Sequence, residues 1–239
     1  MNLTFKKMAT IGFLALGSMS ANAILIDFTG GTVVQNNGAN GVTNQSNVFQ
    51  NVSSYTEDGF LVELLFNGGF EPFASIVGDY YNTGNDVLHA HWDEQGGFGN
   101  VTEIRVSKLD GTNFDLGGFA VSTNTAVGGG ASIGTELAWL NSSKADEIFE
   151  IGPDSWGLGN GPDPLYNLTG NALATDISWF SFTNGIDSSS VGFGLDNFFL
   201  NEAGDPNGTD PTSVSEPATL ALLGLGLAGL GFTRRQKKS

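Results

Sequence analysis

Hydrophobic and polar positions alternate over short distances along most of this chain. Runs rich in Val, Ile, Phe, Trp and Tyr are separated by clusters of Gly, Asn, Asp and Ser, and no central stretch sustains an apolar stripe at helical spacing. This pattern is typical of an all-β protein. It predicts ten strands, over residues 24–29, 60–66, 75–81, 87–92, 101–108, 119–123, 131–140, 148–151, 177–183 and 190–200.

Residues 101–108 show the strand pattern most clearly, because Ile104 falls on one face and Glu103 on the other. Ten short strands in a chain of this length predict two stacked sheets, that is, a two-sheet β-sandwich of jelly-roll type. Two segments allow alternatives. Residues 146–149 fit one helical turn as well as a strand, and residues 35–54, rich in Asn, Gln and Ser, fit either a long surface loop or an irregular edge strand.

The N-terminus has the three regions of a secretory signal peptide. Two lysines form the basic region, residues 8–17 form the apolar region, and Ala21-Asn22-Ala23 provides a small-x-small cleavage site. The sequence therefore predicts a signal peptide over residues 1–23, which signal peptidase removes. The exported domain that remains is predicted to span residues 24–200.

The C-terminus has the order of a stop-transfer segment. An uncharged run over residues 218–232 is followed by four cations within the last six residues, and lipid rejects such cations. The run is predicted to be a single transmembrane helix in the inner membrane. At about 1.5 Å per residue it rises about 22 Å, less than a hydrocarbon core of about 30 Å, which suits a temporary anchor. The polar, turn-prone residues 201–214 before it are predicted to form a flexible stalk.

The same segment contains a short motif, Ser215-Glu216-Pro217, directly before the apolar run. The order of a Glu-Pro motif, a Gly/Leu/Ala-rich span and a basic end resembles a PEP-CTERM sorting signal over residues 215–239. The resemblance implies recognition by an exosortase, a membrane cysteine protease that cuts near the motif. It also implies delivery to the cell surface or extracellular matrix of a Gram-negative bacterium. Ser215 stands where the family usually has Pro, and an ordinary C-terminal anchor is the alternative.

Removing both processing signals leaves a strongly acidic segment. Residues 24–214 hold 24 acidic residues against three basic ones, Arg105, Lys108 and Lys144, for a formal charge of −21. Such a surface repels phosphate backbones, which argues against nucleic acid as a partner, and it attracts cations. The charge fits divalent-cation binding as well as a halophile-like solvated surface. The chain has no cysteine, so it has neither a disulfide nor a thiol nucleophile.

Residues 55–60 (YTEDGF) and 194–198 (GLDNF) resemble the opening and closing segments of secreted bacterial jelly-roll domains, including carbohydrate-binding modules. In such folds the first and last strands are neighbours, and an acidic residue from each helps to hold a structural calcium ion. The resemblance implies Glu57 and Asp196 as calcium ligands, with other oxygens completing a shell of six to eight. The alternative is a turn at Glu57 and a strand-end hydrogen bond at Asp196.

A second pattern of metal-ligand type is His89-Ala90-His91, which contains the only two histidines of the chain. On an extended strand both project from one face with Cα atoms about 6.6 Å apart, a spacing compatible with one zinc or copper ion. A carboxylate such as Asp93 or Glu94, or a residue elsewhere in the fold, would be the third ligand. The alternative is a polar strand face beside Trp92 that forms part of a binding surface.

Aromatic side chains give the remaining functional indication. Secreted sugar-binding proteins stack pyranose rings on exposed Trp or Tyr, because an apolar ring face meets the axial C–H groups of the sugar. Trp156, in the predicted loop PDSWGLG, is expected to be exposed, and Trp92 is the second candidate for ligand binding. Trp139 and Trp179 lie in predicted strands and are expected in the core.

These observations predict a non-catalytic exported protein of the cell surface or extracellular matrix. Exopolysaccharide is its candidate ligand and calcium its candidate stabilising ion. The alternative is a secreted metal-dependent hydrolase of matrix polysaccharide, with His89, His91 and a carboxylate as its centre. Ice binding is disfavoured because the chain lacks the regular Thr-x-Thr ladder of a flat ice-matching face.

Overall fold

A computed structural model of the chain describes residues 23–69, 71–93, 99–122, 138–151, 165–184 and 193–201. In these ranges the backbone forms fifteen β-strands and no helix, which confirms the all-β prediction. Accordingly, no helix suited to crossing a membrane is found in the ranges described. The strands are β1 (Ile24–Ile26), β2 (Thr32–Gln35), β3 (Asn40–Val42), β4 (Val48–Gln50), β5 (Val52–Glu57), β6 (Phe60–Phe66), β7 (Ser75–Gly78), β8 (Val87–Ala90), β9 (Val101–Lys108), β10 (Leu116–Ser122), β11 (Ala138–Ser142), β12 (Ala145–Ile151), β13 (Leu165–Asn167), β14 (Trp179–Asn184) and β15 (Phe193–Leu200).

The strands pair into two antiparallel sheets. The seven-stranded sheet has the order β13-β10-β15-β8-β7-β4, and β1 also pairs with β15. Strand β8 lies opposite the first half of β15 and β1 opposite its last three residues, so these two strands lie along one edge of β15. The eight-stranded sheet has the order β12-β11-β14-β9-β6-β5-β2-β3. This architecture confirms the predicted two-sheet β-sandwich.

The core between the sheets is rich in phenylalanine. In β14, Phe180 and Phe182 alternate with more polar residues and point inward, as period two requires. Across the sandwich, the ring centroid of Phe182 lies 5.0 Å from that of Phe119 in β10, and Phe180 lies 5.3 Å from Phe198 in β15. These edge-to-face contacts join the two sheets and bury large apolar areas without a disulfide.

The strand predictions agree with the structure where the sequence alternates clearly. Strands β6 and β9 have the predicted bounds. Within residues 35–54 the edge-strand alternative is correct, because β3 ends the order of one sheet and β4 that of the other. Residues 146–149 belong to β12 and do not form a helical turn. Strands β2, β5 and β13 were not predicted, since their polar residues hide the alternation.

Candidate functional site

Glu57, the first predicted calcium ligand, ends β5 and is partly buried. Its Oε2 accepts hydrogen bonds from the Tyr55 hydroxyl at 2.9 Å and from the backbone N–H of Phe28 at 3.1 Å. Burial raises the pKa of Glu57 to about 8; the hydrogen bond from Tyr55 acts in the opposite direction, and nearby Asp27 and Asp58 raise the pKa further. At neutral pH, without a bound cation, the Glu57 carboxyl is therefore mainly protonated.

Asp196, the second predicted calcium ligand, lies in β15 of the other sheet and is buried. Its Oδ2 accepts a hydrogen bond from Asn85 Nδ2 at 3.0 Å. Glu57 and Asp196 thus have different hydrogen-bond partners. Within the described ranges, no group of three or more His, Asp or Glu side chains is placed to hold a metal ion. The calcium site remains a prediction from the sequence.

The raised pKa of Glu57 predicts a pH-dependent stability. The folded pKa of about 8 lies above the ordinary value of 4.5, so this group stabilises the fold fully below pH 4.5 and less as pH rises through about 8. We expect the melting temperature to fall by several degrees between pH 5 and pH 9 in the wild type. Glu57→Gln mimics the neutral carboxyl, so its melting temperature should fall less over the same pH range. The melting temperatures are measured by calorimetry in the presence of a chelator. The control is Glu150→Gln, an exposed carboxylate in β12, which should retain it.

The two histidines come together as the sequence predicted. His89, in β8, is 1% exposed, and His91 follows the strand with its Nε2 3.3 Å from that of His89. His91 Nδ1 lies 2.6 Å from the carbonyl oxygen of Phe73 and therefore donates to it. The lone pair of neutral His91 is then on Nε2, so His89 Nε2–H donates to it, and His89 Nδ1 accepts from the Tyr81 hydroxyl at 3.0 Å.

Both imidazoles are neutral at physiological pH. Burial lowers the pKa of His89 to about 3, and the neighbouring His91 lowers it further. Burial also lowers the pKa of His91, against the hydrogen bond to Phe73. Tyr80 stacks on His89 with ring centroids 4.7 Å apart. The cluster of Tyr80, Tyr81, His89 and His91, with the Phe73 carbonyl, is called the histidine cluster below.

The sequence predicted Trp156 and Trp92 as ligand-binding residues, and the structure describes only Trp92. Trp92 is 0% exposed and stacks on Phe193 with ring centroids 5.4 Å apart, so its ring presents no face to a sugar. Its prediction as a ligand-binding residue is wrong, because it points into the sandwich and not away from it. Trp156 lies outside the described residues, as do Glu94 and the Ser215-Glu216-Pro217 motif.

Trp139 and Trp179 were expected in the core, and the structure places both on the outer face of the eight-stranded sheet. Each is partly exposed and lies next to an inward-pointing residue, Leu140 or Phe180. In the sheet register Trp139 lies opposite Thr183. Thr183 is four residues after Trp179 in β14, so the two tryptophans are about 13 Å apart along the strand direction, at about 3.3 Å per residue. Within each strand the neighbours Leu140 and Phe180 take the core positions, so alternation leaves both tryptophans on the outer face.

Polar side chains lie beside these two rings. The Arg105 guanidinium covers Trp179 with its Cζ 4.8 Å from the ring centroid. The same guanidinium donates to Glu103 through Nε at 2.9 Å and through Nη2 at 3.1 Å. Glu103 lies opposite Thr183 in the sheet register. The outer face that carries Trp139, Trp179, Arg105, Glu103 and Thr183 is called the tryptophan face below.

The described residues form an all-β sandwich whose eight-stranded sheet carries the partly exposed tryptophan face on its outer side. A family model, the PEP-CTERM protein-sorting motif, matches residues 213–236. No curated protein and no solved structure gives a significant match to the chain. The chain thus carries a PEP-CTERM sorting motif, which indicates an exported protein that is anchored in the membrane before an exosortase processes it. The motif identifies how the protein is sorted.

Proposed function

We propose that the mature protein is a non-catalytic component of the cell surface or extracellular matrix of a Gram-negative bacterium, and that it binds exopolysaccharide. The observation that carries this proposal is the position of Trp139 and Trp179 on the outer sheet face and not in the core. A tryptophan that stays partly exposed on a sheet keeps a large apolar ring in contact with water, which is unfavourable. Stacking on a sugar removes that ring surface from water. Export by signal peptide and sorting motif brings this face to the compartment where such polymers occur.

The polar groups of the tryptophan face suit sugar hydroxyls. Glu103 accepts and Arg105 donates, and their mutual hydrogen bonds hold both in fixed positions before a ligand arrives. The two tryptophans are about 13 Å apart along the strand direction, so one extended glycan of several sugars reaches both. Because the segment over residues 24–214 carries a formal charge of −21, the ligand is proposed to be a neutral polysaccharide and not a polyanion.

The histidine cluster supports the non-catalytic proposal. The ring nitrogens of His89 and His91 are all engaged with each other, with Tyr81 or with Phe73, and His89 is almost fully buried. A catalytic metal centre needs an open position that substrate reaches, which such burial disfavours. Residues 130–134 (GASIG) have the spacing of a serine nucleophile elbow, and they lie outside the described residues. Because the ring nitrogens of both histidines are hydrogen-bonded within the cluster, the proposal gives neither histidine the role of a catalytic base.

Trp179→Ala and Trp139→Ala test the proposal. Each removes one stacking platform, and we expect each to weaken binding to a neutral exopolysaccharide about tenfold, equivalent to about 1.4 kcal/mol. Binding is measured by glycan array and then by isothermal titration, using the full chain in detergent. Leu109→Ala, at an exposed position in the loop after β9, is the control and should bind like the wild type.

Trp156→Ala distinguishes binding at the tryptophan face from binding at the loop that the sequence predicts around Trp156. Unchanged binding in this variant, with loss in both strand variants, supports the tryptophan face. Loss in Trp156→Ala alone would contradict it. Circular dichroism of each variant confirms that the fold is retained.

Calcium is proposed as the stabilising ion, with Glu57 among its ligands. A calcium ion beside Glu57 would favour the ionised carboxylate, which burial otherwise disfavours. We therefore expect calcium to raise the melting temperature of the wild type most at pH 8 to 9, and to leave Glu57→Gln unchanged. An equal calcium response in both proteins would show binding elsewhere on the acidic surface.

A further inference from the structure

The histidine cluster lies on the seven-stranded sheet, away from the tryptophan face of the other sheet, and the proposed polysaccharide binding does not use it. Its central feature is the 3.3 Å separation of the two Nε2 atoms. Two nitrogen ligands at about 2.0–2.1 Å from a tetrahedral ion are themselves about 3.3 Å apart. The sheet therefore holds both imidazoles at the separation that one shared ion requires.

We propose that His89 and His91 bind one transition-metal ion of the zinc or copper class through their Nε2 atoms, with water that reaches the ion from the side of half-buried His91 completing the shell. Imidazole nitrogen is a ligand that such ions prefer, and the fold brings two of them to within 3.3 Å of each other. Calcium and magnesium prefer oxygen ligands and do not suit this pair. The site is independent of the proposed function and of the predicted calcium ligands.

Each Nδ1 atom has a hydrogen-bond partner that can support metal binding through Nε2. His91 Nδ1–H donates to the Phe73 carbonyl, which leaves Nε2 free of a proton and directed at the site. His89 must change tautomer: its proton leaves Nε2 and a proton is taken up at Nδ1. The Tyr81 hydroxyl then turns from donor to acceptor, which a rotating hydroxyl permits. Both rings stay neutral, so binding releases no net proton from the pair.

Metal binding at this position would stabilise a particular part of the fold. The ion would replace one N–H···N hydrogen bond by two coordinate bonds between β8 and the residue that follows it. Through Phe73 and Tyr81 it would also fix the segments before and after β7. The expected result is a more stable sheet, measurable without any assay of activity.

The test uses the full chain in detergent, freed of metal with chelator and then titrated with ZnCl₂, CuCl₂ or CaCl₂ at pH 7. We expect one zinc or copper ion per chain with micromolar affinity by isothermal titration, and a rise in melting temperature. With Cu²⁺, electron paramagnetic resonance should show coupling to two nitrogens. His91→Gln, at a half-buried position that tolerates the change, should abolish the coupling and weaken binding at least a hundredfold.

Two further variants make the outcome decisive. Tyr81→Phe keeps the ring and removes the hydroxyl that supports His89, so zinc affinity should fall about tenfold while the melting temperature without metal changes less than in His89→Ala. Titration with calcium serves as a control for ion binding to the acidic surface. Any heat or melting shift that calcium causes should be the same in the wild type and in His91→Gln. Zinc binding that survives His91→Gln, or that calcium reproduces, would overturn the proposal. So would the absence of nitrogen coupling in the wild type.

Discussion

Replacing Phe182 by alanine is expected to lower the free energy of unfolding by about 3–5 kcal/mol, the usual cost of deleting a fully buried aromatic ring. Phe182 is 0% exposed and has ring contacts to Phe119 at 5.0 Å, Phe193 at 5.7 Å and Phe198 at 6.0 Å. Phe182 belongs to the eight-stranded sheet, and its three partners belong to strands β10 and β15 of the seven-stranded sheet. Its loss therefore opens a cavity where the sandwich is joined and not at its rim.

The magnitude matters because domains of this kind have total stabilities of about 5–15 kcal/mol and this chain has no disulfide to limit the unfolded state. Urea unfolding of the full chain in detergent, followed by circular dichroism, measures the change. Phe73→Ala is the matched control, since it deletes the same ring from a site that is 51% exposed. It should change the free energy of unfolding by less than about 0.5 kcal/mol. Similar losses in both variants would mean that the described core is not the one that stabilises the protein.

The second large effect is expected on sorting. Glu216→Ala combined with Pro217→Ala should leave nearly all of the protein in the membrane, uncut, in a host that has an exosortase. The physical reason is that the apolar run over residues 218–232 remains inserted until the protease recognises the motif before it. Cell fractionation with immunoblotting against the β-sandwich measures the released fraction. We expect that fraction to fall at least tenfold.

Ser215→Pro is the informative companion variant, because it supplies the residue that such signals usually have at this position. Its processing should equal or exceed that of the wild type. Deleting the exosortase should retain all forms in the membrane alike. Release of the double variant at the wild-type rate would contradict recognition through Glu216 and Pro217, and would favour an ordinary anchor with a different route of release.

Export and sorting could be predicted from the sequence because they depend on local properties. A signal peptide and a stop-transfer run are recognised by hydrophobicity, length and flanking charge, all of which are contiguous in the chain. The fold class could also be predicted, since strands such as β6 and β9 show period-two alternation within a few residues. Strand β5 could not, because Val52 and Tyr55 are its two buried residues and are separated by three positions.

The side of the sheet on which each tryptophan lies could not be predicted from the sequence. Trp92, Trp139 and Trp179 all occur in or next to strand-like runs, and their identity alone does not distinguish inner from outer positions. Pairing decides it: Trp139 opposite Thr183 shares a face with Trp179, whereas Trp92 packs on Phe193 in the core. A shift by one residue in either strand would exchange the two faces, so the register of the assembled sheet determines which rings face outward.

The sequence by itself determined that this protein is exported, anchored, acidic and built of strands, because each property follows from neighbouring residues or from summed charge. It also paired the two histidines, since alternate residues of one strand share a face. Only the tertiary structure decided that their Nε2 atoms lie 3.3 Å apart, that burial raises the pKa of Glu57 to about 8, and that two tryptophans face outward. Those properties depend on burial and on partners brought from distant parts of the chain, and burial exists only after the two sheets have packed.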